Sequence, residues 1–383
     1  MFDKILVKEK SNIKQIAGLK NGELREFIVV DNNKANEGNI YLGKIVKKIR
    51  TANGRLGYFV DIGDDKEAFI NAEERNLESL NAYEGQNIIV QVLQEKRAEK
   101  GAKVTRFLQI VGVFLIYNPY GEEIEVSSKI KDDNRKEELS ALMIDNVEQG
   151  GWIVRTQALN ASKEDILSEI EMLQSIFDDV LLKAKNLKAP IILLTRDNYL
   201  DEMINRSQKS LLKVEVNSHI LEEKLLNKAP VCFNAKVFED AGIDEKISDA
   251  LGKEIRLKSG GRIIIEETRA FVAIDVDSGE GCVQGGFNYL NREAAKEIVK
   301  QILLRNLSGK IIIDFAGNSE FKFLKPVIDI LVDGLAQDVY NARVLGLSRA
   351  GNVEIIRSRR RPSLMDVFSE ECTVCQGIGR VEK

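Results

Sequence analysis

Two aspartates, Asp275 and Asp314, lie at the ends of the apolar runs "FVAIDV" and "KIIIDF". Residues 289–306 between them have strong helical character, so the predicted order is strand, helix, strand. Such a crossover makes the two strands parallel and brings their carboxyl ends to the same edge of a sheet. Two carboxylates held close together either share a proton or bind a cation.

An oxygen-ligand site with few protein ligands suits Mg²⁺ or Mn²⁺, and such a site commonly also holds phosphate oxygens. Each aspartate by itself is more typical of a helix cap or a turn, and the pattern alone leaves both roles open for the pair. The glycines of "SGEGCVQGG" suggest a dinucleotide loop instead. Their spacing departs from G-x-G-x-x-G by one residue, which disfavours that interpretation.

Composition limits the remaining possibilities. A chain of 383 residues with 44% hydrophobic content can bury more than one core, which predicts two or three modules. Its 56 basic and 60 acidic residues leave a net charge of −4, so a nucleic-acid binder must sort its basic groups into patches. His219 is the only histidine, which argues against paired-histidine chemistry. We expect no membrane span and a cytoplasmic protein.

The elements that position the aspartates follow from periodicity. Alternation over residues 1–34 predicts one or two strands with a hairpin at Lys20–Gly22. Five short strands with glycine turns, from about Gly38 to Ile110, predict a small closed barrel of the oligonucleotide-binding type. Residues 162–187 have the spacing of an amphipathic helix. We expect Cys232 and Cys282 to be ordinary small interior residues.

Three stretches, "AIDVDSG", "NREAAKEIVKQILLRNLSGKIIIDF" and "CTVCQGIG", resemble the ribonuclease E/G family of bacterial single-strand endoribonucleases, which act in RNA decay and rRNA processing. The resemblance covers nearly the whole chain in the same order. It implies a multi-module fold of the α+β or α/β class. The implied modules are an RNase H-like part (1–37 and 189–253), an OB-type RNA-binding barrel (38–118), a 5′-sensor module (119–188), a DNase I-like catalytic module (254–368) and a CxxC zinc link (369–383).

For the catalytic module, the resemblance implies a Mg²⁺-activated water that attacks an RNA phosphodiester and leaves 5′-phosphate and 3′-hydroxyl ends. Asp275 and Asp314 would hold the ion. Asp277 stands where the family has an asparagine that helps to orient the hydrated ion, so this catalytic candidate brings an extra negative charge. Gly317 stands where the family commonly has a second acid.

The resemblance also implies RNA contacts. Arg155 and Thr156 of "WIVRT" match a pocket for a 5′-monophosphate, and Arg155 could instead be a surface charge at a strand end. Phe59, Phe69 and Lys100 match barrel positions that hold single-stranded RNA. Alternation leaves open whether these aromatics face out or form the barrel core. The basic run 357–361 fits either RNA contact or a solvated surface.

Cys372 and Cys375 form a C-x-x-C pair, whereas zinc prefers four ligands. The pair could be redox-active or unligated. The family's inter-subunit zinc link implies instead that two protomers share one ion, which predicts a homodimer. The sequence stops eight residues after Cys375, whereas relatives usually carry a further small domain, so a tetramer is not expected.

The leading hypothesis is therefore a Mg²⁺-dependent endoribonuclease that cleaves single-stranded RNA and is stimulated by a 5′-monophosphate. Its main alternative is an RNA-binding regulator on the same scaffold that is weak or inactive because of Asp277 and Gly317. A metal-dependent DNA nuclease is a third possibility.

Overall fold

The computed structural model describes the residues 2–50, 54–73, 80–96, 100–196, 198–207, 212–226, 228–279, 286–317, 320–336, 338–370 and 372–375. The strands are β1 (Lys4–Lys10), β2 (Ile13–Lys20), β3 (Glu23–Asp31), β4 (Ile40–Arg50), β5 (Leu56–Asp61), β6 (Ala68–Asn71), β7 (Asn87–Gln94), β8 (Lys103–Thr105), β9 (Ile110–Val111), β10 (Leu115–Asn118), β11 (Ile124–Val126), β12 (Gly151–Val154), β13 (Ile191–Leu194), β14 (Lys213–Val216), β15 (Val231–Phe233), β16 (Glu254–Arg256), β17 (Arg262–Glu267), β18 (Val272–Asp277), β19 (Gly309–Asp314), β20 (Arg343–Leu347) and β21 (Val353–Arg357). The helices are α1 (Asp133–Asn146), α2 (Lys163–Asn186), α3 (Tyr199–Asn205), α4 (His219–Leu225), α5 (Ile243–Leu251), α6 (Gly286–Leu304), α7 (Phe321–Leu335) and α8 (Leu364–Phe368), and Thr156–Asn160 forms a 3₁₀ turn.

The first sheet has the order β15-β14-β1-β2-β3. The predicted hairpin at Lys20–Gly22 is present between β2 and β3, and Asn21 and Gly22 both have positive φ angles (52° and 76°), which a two-residue hairpin turn requires. Cys232 lies on β15 at the edge of this sheet and is exposed, so the prediction that it is an interior residue is wrong. Cys282 lies outside the described residues.

The predicted barrel is confirmed as a closed barrel of five strands. Its order is β4-β5-β6-β8-β7, and β7 pairs back with β4 to close it, while β13 adds to the outer edge of β4. The β6–β8 pairing is parallel, and the other barrel pairings are antiparallel. The inward positions form a core of buried side chains, among them Tyr58, Val60, Ile70, Val90 and Val104.

A third sheet, β11-β12-β10-β9, packs against α1 and α2. Trp152 on β12 is fully buried, and its ring stacks on Tyr117 at a centroid distance of 4.4 Å. The helix predicted over 162–187 is confirmed as α2, and it begins with a capping box in which Ser162 and Asp165 exchange side-chain-to-backbone hydrogen bonds.

The fourth sheet, β16-β17-β18-β19-β21-β20, carries the predicted crossover. Strands β18 and β19 are parallel neighbours, and α6 connects them, as the sequence predicted. Buried residues of α6, Leu290, Ala294, Ile298 and Ile302, join the isoleucines of these strands in one apolar core. The helix α7 follows β19 and contributes Leu324, Val327 and Leu331 to the same core.

Two arginines of the basic run 357–361, Arg357 and Arg361, are buried. The Arg357 guanidinium donates hydrogen bonds to both carboxylate oxygens of Asp338, each at 3.0 Å, and both residues are buried. Arg361 is also buried and donates to the Tyr340 hydroxyl at 2.6 Å. Arg360 forms an ion pair of 3.2 Å with Glu37, which lies between β3 and β4. These contacts rule out the RNA-facing role for Arg357 and Arg361.

Glu95, just after β7, joins this internal cluster. Its carboxylate accepts the backbone N–H of Glu37 at 3.0 Å, and its own N–H donates to the Arg360 carbonyl at 2.9 Å. Burial of the carboxyl group raises the pKa of Glu95 to about 7, although Arg361 and Arg196 nearby oppose the shift. Among the helices of the described ranges, none is both long and apolar enough to span a bilayer.

We predict that Glu95→Gln flattens the pH dependence of stability. A carboxyl whose pKa is raised in the folded state stabilises the protein fully below its unfolded pKa and loses that contribution as pH rises through the folded pKa. With a pKa of about 4.3 in the unfolded state and about 7 in the folded state, the full loss is about 4 kcal/mol in the wild type, and about 3 kcal/mol of it falls between pH 4.5 and 7.5. Between pH 4.5 and pH 7.5, the free energy of unfolding of the variant should therefore rise by about 3 kcal/mol relative to that of the wild type, as measured by urea unfolding.

Glutamine keeps the carbonyl oxygen that accepts the Glu37 N–H, so the variant preserves the local geometry. Glu171→Gln neutralises an exposed acid on α2 and serves as the matched control. An equal pH dependence in wild type and Glu95→Gln would contradict a carboxyl that carries its proton near neutrality.

Candidate active site

Asp275 and Asp314 face each other at the ends of neighbouring strands. The parallel register of β18 and β19 pairs Asp275 directly with Asp314, so both side chains leave the same face of the sheet. Both residues are exposed at this edge. Partial desolvation of the carboxyl group at the sheet surface, followed by the negative charges of Asp314 and Asp277, raises the pKa of Asp275. The two predicted ligands are therefore brought together in a site where a cation would relieve repulsion.

Asp277 is not a third free carboxylate. It lies two residues after Asp275 on the same face of β18, and Arg262 lies opposite it on β17. The Nε and Nη2 atoms of Arg262 donate to Asp277 Oδ2 at 2.9 and 2.6 Å, and the Gly279 N–H donates to Oδ1 at 2.9 Å. The hydrogen bond from Gly279 and the contacts with Arg262 lower the pKa of Asp277. The extra acid is paired with a cation that the sequence reading missed.

Gly317 fits a steric requirement. Its φ angle is +85°, and a Cβ atom built on it would lie 2.8 Å from the ring of Phe287 on α6. Since any larger residue would displace that ring, the absence of a second acid here goes together with the position of Phe287. The loop is further fixed by Asn291, whose amide donates to the Ala316 carbonyl at 2.9 Å.

Arg155 and Thr156 lie together at the end of β12. Arg155 Nη1 donates to the Gly112 carbonyl, and its Nη2 lies 3.8 Å from Glu202 Oε1, with only 17% of the side chain exposed. Burial lowers the pKa of Arg155. The Thr156 hydroxyl lies 3.2 Å from the Ser127 hydroxyl. Part of the guanidinium fork is thus used internally, and Ser127 adds a third polar group to this strand end.

Glu169 is a further residue that sequence reasoning missed. It is buried on α2, and its carboxylate accepts three consecutive backbone N–H groups, those of Val113, Phe114 and Leu115, at 2.6–2.8 Å. Arg155 donates its backbone N–H to the Phe114 carbonyl. Glu169 therefore holds the backbone segment against which Arg155 is positioned, and it carries a helix-to-loop contact that no local pattern indicates.

The barrel presents its aromatics outward in one row. The registers pair Lys47 with Phe59, Phe59 with Phe69 and Phe69 with Lys103, so four side chains lie side by side across β4, β5, β6 and β8. The two phenylalanine rings lie 5.8 Å apart, edge to face, and both are half-buried, whereas Tyr58 on the opposite face is fully buried. This settles the face that alternation left open. Lys100 is exposed near the start of β8.

Cys372 and Cys375 lie in a turn after α8. Hydrogen bonds with the backbone of Cys375 and Val374 lower the pKa of the Cys372 thiol. Neither forms a disulfide. Within the described ranges, no group of three or more His, Cys, Asp or Glu residues could hold a metal ion by itself. Residues 376–383 of the predicted zinc link lie outside the described residues.

Comparison with known proteins agrees with the geometry. The sequence profile of the Ribonuclease E/G family matches residues 109–360. Ribonuclease G of Haemophilus influenzae is 30% identical over 419 aligned positions, which cover 99% of this chain and 84% of that protein. The chain belongs to the ribonuclease E/G family.

Other members of the ribonuclease E/G family show the same extent of similarity. Ribonuclease G of Escherichia coli strain K12 is 28% identical over 100% of this chain and 85% of its own length. Ribonuclease E of Synechocystis is 28% identical over 100% of this chain and 60% of its own length. The predicted family is confirmed, and membership makes the chain a metal-dependent endoribonuclease of RNA processing or decay.

We predict that Arg262 and Asp277 shift the titration of Asp275 in opposite directions. Asp277 raises the pKa of Asp275 and Arg262 lowers it. Arg262→Gln should therefore raise this pKa further, Asp277→Asn should lower it, and the double variant should lie between the two. Carboxyl-carbon NMR titration of the metal-free protein measures all three, with Asp329→Asn on the surface of α7 as control. Single variants that shift in the same direction would contradict the compensated pair.

Proposed function

We propose that this endoribonuclease hydrolyses phosphodiester bonds of single-stranded RNA with one Mg²⁺ ion (or Mn²⁺) held by Asp275 and Asp314. The observation that carries the proposal is the direct register of these residues on two parallel strands. Two exposed carboxylates that no lysine or arginine of the described residues bridges suit a hard ion that keeps several of its waters. When bound, Mg²⁺ would supply a more acidic water as nucleophile and neutralise charge on the phosphate.

The chain's own residues then have separate roles. Asp275 and Asp314 would hold the ion, and a bound cation would oppose the burial and the neighbouring negative charges that together raise the pKa of Asp275. Asp277 stands at the third catalytic position, where its carboxylate is fixed by Arg262 and Gly279. Because Arg262 offsets part of its charge, Asp277 would contribute mainly carboxylate oxygens held in a fixed position. This pairing supports an active enzyme over the RNA-binding regulator on the same scaffold.

We propose that the RNA strand crosses the outer face of the barrel. Phe59 and Phe69 offer rings for base stacking without sequence preference. Lys47 and Lys103 flank them in register, and Lys100 adds a further charge for backbone phosphates. At the end of β12, Arg155 and Thr156 would receive a 5′-monophosphate, with Ser127 beside them.

We also propose that the CxxC turn forms half of a zinc site. Hydrogen bonds from backbone N–H groups favour the thiolate form of Cys372, which is the form that binds zinc. Two thiolates satisfy half of a tetrahedral site, so a second protomer would supply the other pair and the protein would be a homodimer. The RNase H-like, 5′-sensor and DNase I-like modules and their expected boundaries belong to the same proposal.

The central test is cleavage of a 5′-labelled single-stranded RNA with and without Mg²⁺. We expect Mg²⁺-dependent cleavage that falls by about 10²-fold or more in Asp275→Asn and in Asp314→Asn, because each variant removes one ligand of an ion worth several kcal/mol to the transition state. The control Asp329→Asn, which removes an exposed acid on α7 that pairs with Lys325, should cleave like wild type.

The same assay separates the alternatives. Tight RNA binding without cleavage at any Mg²⁺ or Mn²⁺ concentration would establish the regulator instead, and equal cutting of the matching DNA would establish a nuclease without sugar preference. Faster cleavage of 5′-monophosphate than of 5′-hydroxyl RNA, lost in Thr156→Val, would support the 5′ pocket.

The row of side chains on the barrel surface (Lys47, Phe59, Phe69 and Lys103), here called the barrel row, leads to a second prediction. Phe69→Ala should weaken RNA binding by about 5- to 100-fold at every salt concentration, because it removes one stacking ring worth about 1–3 kcal/mol. Lys103→Gln should instead reduce the slope of log affinity against log salt by about 0.7, the value for one phosphate contact on a single strand. Titrations at several salt concentrations measure both. Lys34→Gln, an exposed lysine outside the barrel, is the control.

A further inference from the structure

An open groove lies beside the edge of the fourth sheet at which the strands of Asp275 and Asp314 end, here called the metal edge. Its volume is about 460 Å³, and it runs between the start of α7 and the turn that joins β20 to β21. Phe321 and Lys322 form one wall, and Leu347, Ser348 and Arg349 form the other. A volume in this range accommodates a small organic group, and the groove is open to solvent along its length.

The register places this groove next to the proposed metal ligands. Ile313, the residue before Asp314, is paired with Val353 at the start of β21. The turn that precedes Val353 therefore lies at the edge where Asp314 ends its strand. The turn is closed by hydrogen bonds between Ser348 and Asn352 and between Gly351 and Ser348, so it offers a defined wall.

The groove combines an aromatic surface with positive charge. The side chain of Phe321 is 57% exposed, although apolar side chains at helix starts usually pack inward. Of the five most exposed phenylalanines in the described chain, three (Phe287, Phe321 and Phe323) lie in the first turns of α6 and α7, which both begin at this sheet edge. Scattered exposed aromatics are ordinary, whereas a cluster at one edge indicates a binding surface.

Charge at the groove favours an anion. Lys322 and Arg349 are opposed only by Glu320 among the lining residues, which gives the groove an excess of one positive charge. Lys322 pairs with Glu320 at 2.8 Å, but both are more than half exposed, so solvent screens that pair. An aromatic ring beside two cations is the combination that holds a nucleotide of a single strand, by stacking and by phosphate contact.

We propose that this groove binds one nucleotide of the RNA strand directly beside the phosphate at the metal edge, with its base stacked on Phe321 and a phosphate between Lys322 and Arg349. The site deepens the proposed function and rests on it, because it places the substrate relative to Asp314. Phe321 is here a substrate-binding residue that fixes the strand next to the reacting phosphate, at a distance from the barrel row.

The test uses the full chain carrying Asp275→Asn, so that the RNA stays intact. 2-Aminopurine is placed at successive positions of a single-stranded RNA, and its fluorescence is quenched where it stacks on a ring. We expect quenching at a position adjoining the cleavage site, its loss in Phe321→Ala and its retention in Phe321→Trp. Affinity for the RNA should fall by about 5- to 100-fold in Phe321→Ala and remain within about twofold in Phe321→Trp.

Phe233→Ala, which removes a half-exposed phenylalanine from the first sheet, is the matched control and should leave quenching and affinity unchanged. Thermal unfolding of each variant confirms that the fold is intact. Quenching that persists in Phe321→Ala, or that appears nowhere near the cleavage site, would overturn the nucleotide site. Cleavage by the wild type is measured in parallel and does not depend on the 2-aminopurine signal. Cleavage without Phe321-dependent stacking rejects only the groove, and Phe321-dependent stacking without cleavage rejects only the hydrolytic proposal.

Discussion

The repulsion between Asp275 and Asp314 is the constraint on which the rest of the candidate site depends. The two carboxylates cannot separate, because their strands are neighbours in a parallel sheet and their register is fixed by buried isoleucines above and below. The helix α6 buries one face against those strands. A slip of either strand by one residue would therefore turn its buried apolar side chains toward solvent. Packing of the apolar core therefore holds two like charges close together. Such an arrangement favours either a shared proton or a cation bound between them.

A third acid at this edge adds to the negative charge around Asp275, and the pairing of Asp277 with Arg262 offsets part of that effect. A guanidinium donates two hydrogen bonds to one carboxylate oxygen of Asp277, and the Gly279 N–H occupies the other. Arg262 also pairs with Glu254, so the charge of Asp277 is compensated in part. The carboxylate oxygens of Asp277 are nevertheless held in a fixed position, which an amide oxygen could also occupy.

Much of the fold and the pairing of the two aspartates could be predicted from the sequence, because short-range periodicity indicates the strand-helix-strand order and the barrel strands. The partner of Asp277 was within reach as well, since a hairpin around residues 268–271 places Arg262 opposite it. The outward row of Phe59 and Phe69 was not, because alternation defines two faces and only closure of the barrel decides which is inside. The basic run 357–361 was misleading for a related reason. Its partners include the buried Glu37, which lies 323 residues from Arg360, and no local pattern predicts a contact between residues so far apart.

Charged residues between the barrel and the fourth sheet connect the proposed RNA-binding face of the barrel with the proposed metal site. Glu95 follows barrel strand β7, and its backbone bonds to Arg360, three residues beyond β21, which pairs with the strand of Asp314. Desolvation makes buried ion pairs poor sources of net stability, whereas their directional hydrogen bonds define one relative orientation. An apolar interface of the same area would tolerate sliding. The cluster of Glu37, Arg360 and Arg361 instead favours one orientation of the barrel relative to the fourth sheet. We therefore regard alignment of the proposed RNA-binding face with the proposed metal site as the reason for charges at this junction.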